Sequence, residues 1–209
     1  MSTQILADRL VDLARLSLLF GTIDRITFHA DGTTPESDTD HTVMLGLAAC
    51  AFATEHVPGL RVGLVAQFAL VHDLVEAYAG DMPTLRALSS DQKAQKKARE
   101  HAAYSRIMSE FGLELPWIDQ TISEYERQLL PEARFVRALD KLMPKLTHIL
   151  NDCTTLRAQG VTVDELRARY EMQEQELLAY AADFPVLMEL RAELVDRVLA
   201  AYAGTEVAA

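Results

Sequence analysis

Residues Val62–Ala79 read VGLVAQFALVHDLVEAYA, and their only strongly polar side chains are Gln67, His72, Asp73 and Glu76. The segment shows no sustained alternation of β-branched and polar residues, so a strand is disfavoured. A helix that is apolar on nearly every side belongs in the middle of a bundle. The apolar run from Val62 to Val71 is interrupted by Gln67 and is too short to cross a bilayer. The stretch therefore predicts a central helix of an all-α protein, with three ionisable groups deep inside it.

The rest of the chain agrees. Val43 to Ala53 (VMLGLAACAFA) carries no charge and predicts a second central helix, opened by His41. Leu6, Leu10, Leu13 and Phe20 mark one face of a first helix, and Leu187, Leu190, Leu194 and Val198 one face of a last. Between them, helices are predicted near 40–56, 60–79, 91–112, 116–129, 131–153 and 163–181, with Pro58, Pro116, Pro131 and Pro185 at starts. No sheet is expected. Asp31 to Asp40 (DGTTPESDTD) reads as a polar loop. The expected organisation is a single helical-bundle domain over residues 1–203, with 204–209 a disordered tail.

Charge limits the partners. Thirty-one acids against 20 bases give a formal charge of -11, which repels nucleic acid polymers and anionic membranes. A small anionic substrate is still accommodated if a bound divalent cation reverses the local field. Cys50 and Cys153 are far apart and sit in apolar surroundings, so they read as buried thiols in a reducing cytoplasm. Asp8 and Arg9 interrupt the N-terminal segment, and no signal peptide is visible.

Buried carboxylates are costly unless paired or bound to a metal. His72 and Asp73, adjacent on one helix, project about 100° apart and can both reach one point beside it. Glu76 follows one turn along. Asp140 lies on an apolar strip between Val136 and Met143, and Pro144 removes the N–H that would bond the carbonyl of residue 140, predicting a kink beside this acid. Two neutral imidazoles and two carboxylates carry a charge of about -2, which matches a divalent cation, and such a mixed set suits Zn, Mn, Fe, Co or Ni better than Ca.

His41, His72-Asp73 and Asp140, in that order, resemble the H…HD…D signature of the HD superfamily of metal-dependent phosphohydrolases. His72 to Thr84 (HDLVEAYAGDMPT) is similar to the H-D-x-x-E-x-x-x-G-D-x-P-T block of the bacterial 5′-deoxynucleotidases and their eukaryotic relatives. The resemblance spans roughly Arg25 to Asn151 and implies an HD-domain fold. It implies one divalent metal (Co, Mn, Zn, Fe, Ni or Mg) on His41, His72, Asp73 and Asp140, with Glu76 and Asp81 catalytic. It further implies a nucleotide substrate contacted by Arg25, Asp81, Met82, Pro83 and Thr84, and a homodimer. Arg25 matches an arginine that selects deoxyribose. The family's Arg-Trp pair reads Arg25-Ile26 here, the loop from Asp31 to Asp38 is longer, and its Glu-His-Ser reads Asp40-His41-Thr42.

Two other readings compete. A (p)ppGpp pyrophosphohydrolase has a similar helix with adjacent Glu and Asp, whereas here Ala77 follows Glu76 and the next acid is Asp81. A non-catalytic metal-binding HD module would be expected to have lost a ligand, and all four are present. His29 reads as a turn residue, and His56, His101 and His148 as peripheral. Lys93, Lys96, Lys97 and Arg99 read as a solvated helix face, Trp117 as a core or interface anchor, and Thr84 equally as a helix cap.

Overall fold

α2 (Asp38–His56) and α3 (Val62–Val71) pack against each other at the centre of a computed structural model that describes residues 2–204. Leu45, Ala49, Val65 and Phe68 fill the space between them and meet Phe135, Val136 and Leu139 of α7 (Pro131–Asp140). On the far side α10 (Val163–Ala181) and α11 (Pro185–Gly204) close this core with Leu177, Leu187 and Leu194. A second apolar cluster joins α1 (Thr3–Phe20) to α5 (Ser90–Phe111) and α6 (Pro116–Arg127) through Leu16, Phe20, Ile107, Phe111, Ile118 and Ile122. The all-α expectation holds.

Several local expectations do not. The central segment Val62–Ala79 is long and apolar enough by length and composition to cross a membrane, but 44% of it is buried inside the bundle and a turn divides it into α3 and the short α4 (Glu76–Ala79). Between them the backbone tightens: Leu74 N–H donates to the Val71 carbonyl and Glu76 N–H to Asp73. Such three-residue bonds often mark a functional hinge or local strain. Gly80 ends α4 at φ 73°, a left-handed value that side chains with a Cβ rarely adopt. The kink predicted at Pro144 is a full break, with α7 stopping at Asp140 and α8 (Met143–Leu150) starting afresh around the proline. The predicted helix over 131–153 is thus two helices, followed by α9 (Thr154–Ala158), with Cys153 in the left-handed region before it.

The polar loop supplies the turn and second strand of a two-stranded sheet that the sequence did not predict. β1 (Asp24–Phe28) and β2 (Pro35–Ser37) pair antiparallel. Asp31 accepts the N–H groups of Thr33 and Thr34 at 2.9 Å each to shape the turn. Asn151 donates to the Phe28 carbonyl at 2.9 Å and Thr155 Oγ1 accepts Phe28 N–H at 3.1 Å, which fixes the hairpin on the α8–α9 junction. Ser37 then caps α2 reciprocally with Asp40, three residues into the turn that carries His41.

The central helices are less enclosed than their composition predicts. Val43 and Leu47, one turn apart on α2, are 55% and 71% exposed. Leu70 and Leu18 are exposed as well, as are Leu6 and Leu10 of the leucine stripe on the first helix. His148, expected at the periphery, is buried. Cys50 is half-buried and Cys153 buried. Trp117 is largely exposed and donates to Gln67 at 3.3 Å. α11 runs to Gly204, and residues 205–209 of the expected tail lie outside the described residues.

Candidate metal centre

Three breaks in the helical pattern converge on one point. The start of α2 presents His41, the tightened turn after α3 presents His72 and Asp73, and the end of α7 presents Asp140. Each offers one ligand atom, and the four atoms lie within 4.8 Å of one another. All four expected ligands are therefore together.

Hydrogen bonds on the outer side orient both imidazoles. His72 Nδ1–H donates to the Ala69 carbonyl at 2.8 Å, since a carbonyl can only accept. Its Nε2 faces the centre, 3.0 Å from Asp73 Oδ2 and 3.9 Å from Asp140 Oδ1, buried and without a hydrogen-bond partner. His41 Nδ1 lies 3.2 Å from Glu36 Oε1, and its Nε2 is 2.9 Å from Asp140 Oδ1. With protons on both Nδ1 atoms, two nitrogen lone pairs and two carboxylates face one another. That arrangement is repulsive until a proton or a metal cation enters, and outer carbonyl and carboxylate partners of this kind orient metal-binding histidines. The donor set fits a divalent transition ion.

The electrostatics agree. Burial disfavours charge on His41, yet hydrogen bonds to Asp140 and Glu36 outweigh it and push its pKa up to about 9 without an ion. The surrounding acids thus favour positive charge at this spot. Burial would raise Asp140, but the Lys141 ammonium, 2.8 Å away, and His41 hold it well below the usual carboxylate range. Asp73 is likewise held low, with His72 offsetting its burial. Glu76 behaves oppositely: burial and repulsion from Asp73, Asp81 and Asp38 push it up to about 10, against the Lys96 ammonium 3.5 Å away. Burial also raises Asp81, against the charge of Arg25.

The expected substrate residues surround the centre. Arg25, Asp81, Met82 and Thr84 line a cleft of about 320 Å³ together with Asp73, Glu76 and Asp140. Pro83 lines an adjoining smaller cavity. Arg25 is more engaged than its sequence position suggests, because one guanidinium nitrogen donates to Asp38 at 3.0 Å and Asp73 at 3.3 Å. Asp38 is fully buried, and burial raises its pKa to about 6 despite that arginine. On the other side a larger cleft of about 820 Å³ is lined by Lys93, Lys96, Lys97, Tyr104 and Arg137. The stretch read as a solvated face is therefore partly inward: Lys96 reaches Glu76, and Arg99 donates to the Ala79 carbonyl. His29 pairs with Asp40 at 3.2 Å on the surface.

Sequence reading missed Glu36 and Asp38, which it placed in an undifferentiated loop, and Lys141. Glu36 is buried and held ionised: hydrogen bonds from His41 and Thr27 outweigh the effect of burial. The one signal available was Glu36 five residues before His41, and it becomes readable only once the hairpin is known.

A family model described as HD domain matches residues 21–180. Among curated proteins, the chain is 27% identical over 109 residues to a 5′-deoxynucleotidase of Schizosaccharomyces pombe, covering 51% of this chain and 54% of that one. It is 36% identical over 110 residues to a 5′-deoxynucleotidase of Danio rerio, covering 52% of each. The chain spans about half the length of these curated relatives in the match. A crystal structure from Magnetospirillum magnetotacticum MS-1, described as a predicted metal-dependent phosphohydrolase, superposes with a TM-score of 0.76 at 26% identity over 94% of this chain and 93% of that one. A conserved hypothetical protein from Pyrococcus furiosus, 24% identical with a TM-score of 0.58 over 87% of this chain and 99% of that one, shares the fold.

The geometry leads to a direct test. His72→Ala and Asp140→Ala are each expected to lose the bound metal by elemental analysis of folded protein, and full occupancy in either would remove that residue from the ligand set. Glu36→Gln keeps all four ligands and should weaken metal affinity by about 10- to 100-fold, the usual effect of losing an outer partner. Unchanged affinity would separate Glu36 from the centre.

Proposed function

We propose that the chain, which belongs to the HD-domain family, is a metal-dependent phosphomonoester hydrolase acting on (deoxy)nucleoside 5′-monophosphates and releasing inorganic phosphate. The observation that carries this reading is the convergence of His41, His72, Asp73 and Asp140 on one point of a cleft that also holds Glu76, Asp81, Arg25 and Thr84. The names of the matched relatives and of the solved phosphohydrolase support it.

His41, His72, Asp73 and Asp140 would hold one divalent ion; which ion, among Co, Mn, Zn, Fe, Ni and Mg, is left to experiment. When bound, such an ion draws charge from the phosphoryl oxygens and makes water acidic near neutral pH. The chain's own residues do the rest. The water oxygen attacks phosphorus, the bond from phosphorus to the 5′ oxygen breaks, and the departing oxygen takes up a proton. Glu76, a buried carboxyl one turn from His72 and Asp73, holds or passes that proton beside the reacting group. Asp81, on the turn just after Gly80, accepts a hydrogen bond from the attacking water and orients it. Arg25, fixed by Asp38 and Asp73, presents its remaining donors to the phosphate or sugar edge. Thr84 supplies a hydroxyl to the phosphate.

The chain is further proposed to act in the cytoplasm as a homodimer, with Val43, Leu47 and Leu70 supplying apolar surface for the contact. Light scattering at micromolar concentration is expected to give twice the chain mass, and a monomer would exclude the dimer.

Glu76→Ala is expected to keep its metal while losing turnover by about 10²- to 10⁴-fold, the scale of general acid–base assistance. Activity equal to the parent would exclude Glu76 from the proton transfers. The sugar is tested by hydrolysis of dAMP and AMP. The parent is expected to prefer dAMP, because the fixed guanidinium crowds a 2′-hydroxyl. In Arg25→Ala the ratio between the two should approach one whatever happens to the absolute rates. Equal rates in the parent would refute the selectivity, and activity on neither would overturn the nucleotide assignment.

A further inference from the structure

Beside the metal cleft, and sharing Arg25, Asp81, Thr84, Pro144, Arg169 and Gln173 with it, lies a cavity of about 100 Å³ between β1, the 81–85 turn, α8 and α10. It has room for several waters or one small oxyanion. Its inner wall is made by Lys145, His148, Tyr170 and Gln173, none of which the phosphohydrolase reading uses.

Lys145 is 1% exposed. Its ammonium donates to the Lys141 carbonyl at 3.0 Å and to Gln173 Oε1 and lies 4.9 Å from the centroid of the Tyr170 ring, and among the described residues no carboxylate forms an ion pair with it. Two further polar atoms in this wall, Tyr170 Oη and His148 Nδ1, are buried without partners. Arg169, paired with Glu176 at 3.5 Å, adds a second cation to the lining and Arg25, paired with Asp38 and Asp73, a third, while Asp81 is the one acid among the described lining residues. In a chain of formal charge -11, a pocket with three cations, one acid and unused buried polar atoms is the reverse of the average surface. A buried charge without a counter-charge is strongly disfavoured.

We propose that this cavity is a second oxyanion subsite adjoining the metal cleft, in which Lys145, Arg169 and Tyr170 hold a phosphate group. On the nucleotidase reading, on which this half rests, the group is a second phosphate carried by the same substrate.

The groups facing Lys145 set its pH behaviour. Burial lowers its pKa to about 7, helped by Arg191 of α11, Arg169 of α10 and Lys141 after α7, and opposed by Asp140. His148 of α8 has its own pKa lowered to about 4 by burial and by Lys145, and is neutral throughout. Arg25 on β1 stays charged, and Tyr170 is raised by burial and stays neutral. Below about pH 7 the protonated ammonium is present, and an oxyanion gains an ion pair from it. Above that pH the ammonium is lost and the gain fades.

Sulfate, which keeps its charge over this range, is the probe. Metal-loaded parent and Lys145→Met protein are melted with and without sulfate at pH 6 and pH 8.5. Any effect of sulfate at the metal, or on the surface generally, is common to both proteins. The parent is expected to show an extra rise in Tm with sulfate at pH 6 that shrinks at pH 8.5 and is missing from Lys145→Met. Gln173→Glu, which places a carboxylate beside the ammonium, should abolish the extra rise, and Tyr170→Phe should reduce it. These two carry the test should Lys145→Met not fold. Equal sulfate gains in parent and variants at both pH values would overturn the subsite.

Hydrolysis of a deoxynucleoside 3′,5′-bisphosphate against the 5′-monophosphate tests the occupant. The parent should favour the bisphosphate in kcat/KM by about tenfold, the scale of one charged hydrogen bond, and Lys145→Met should lose that advantage. Equal kcat/KM in the parent would overturn the second-phosphate assignment. Hydrolysis of neither would sink the nucleotidase reading while the sulfate result still decides the cavity.

Discussion

Two imidazole lone pairs and two carboxylates point at one another in the interior of this chain, and the local structure around them is organised to keep them there. With both imidazoles neutral such a cluster repels itself, and either a proton on His41 or a metal cation relieves it. The outer hydrogen bonds from His72 to the Ala69 carbonyl and from His41 to Glu36 leave each Nε2 aimed inward. The Lys141 ammonium and the Arg25 guanidinium partly offset the negative charge at the rim. What remains is a place for a compact divalent ion, and the helices meet where that place requires them to.

The breaks in regular structure are as informative as the helices. α3 tightens at His72–Asp73, α7 stops at Asp140, and α2 is started at Ser37 by a reciprocal cap. Each break puts a ligand at a helix end, where a side chain can turn toward the centre without crossing the core stripe. Phe68 and Phe135, fully buried beside these ends, give the breaks a rigid backing.

The candidate cluster was partly legible because its chemistry contradicts its surroundings: His72 and Asp73 interrupt an apolar run, and Asp140 sits among Val136, Leu139 and Met143, while the grouping with His41 came from the family resemblance. Helix existence was legible from the periodicity of the leucines. Helix continuity was not, because no glycine or proline marks the turn at 72–75, and only the backbone bonds reveal the tightening. The hairpin at 24–37 was hidden because its strands are short and its residues polar, and with it were hidden Glu36 and Asp38. His148 read as peripheral and nothing in the sequence singled out Lys145, since their burial depends on α10 packing over α8 from far along the chain.

X-ray absorption at the zinc edge of protein loaded with one equivalent of zinc tests the metal centre most directly. Two imidazole and at least two oxygen ligands at about 2.0–2.2 Å are predicted. A spectrum with no imidazole scattering, or with a sulfur shell from Cys50 or Cys153, would contradict it.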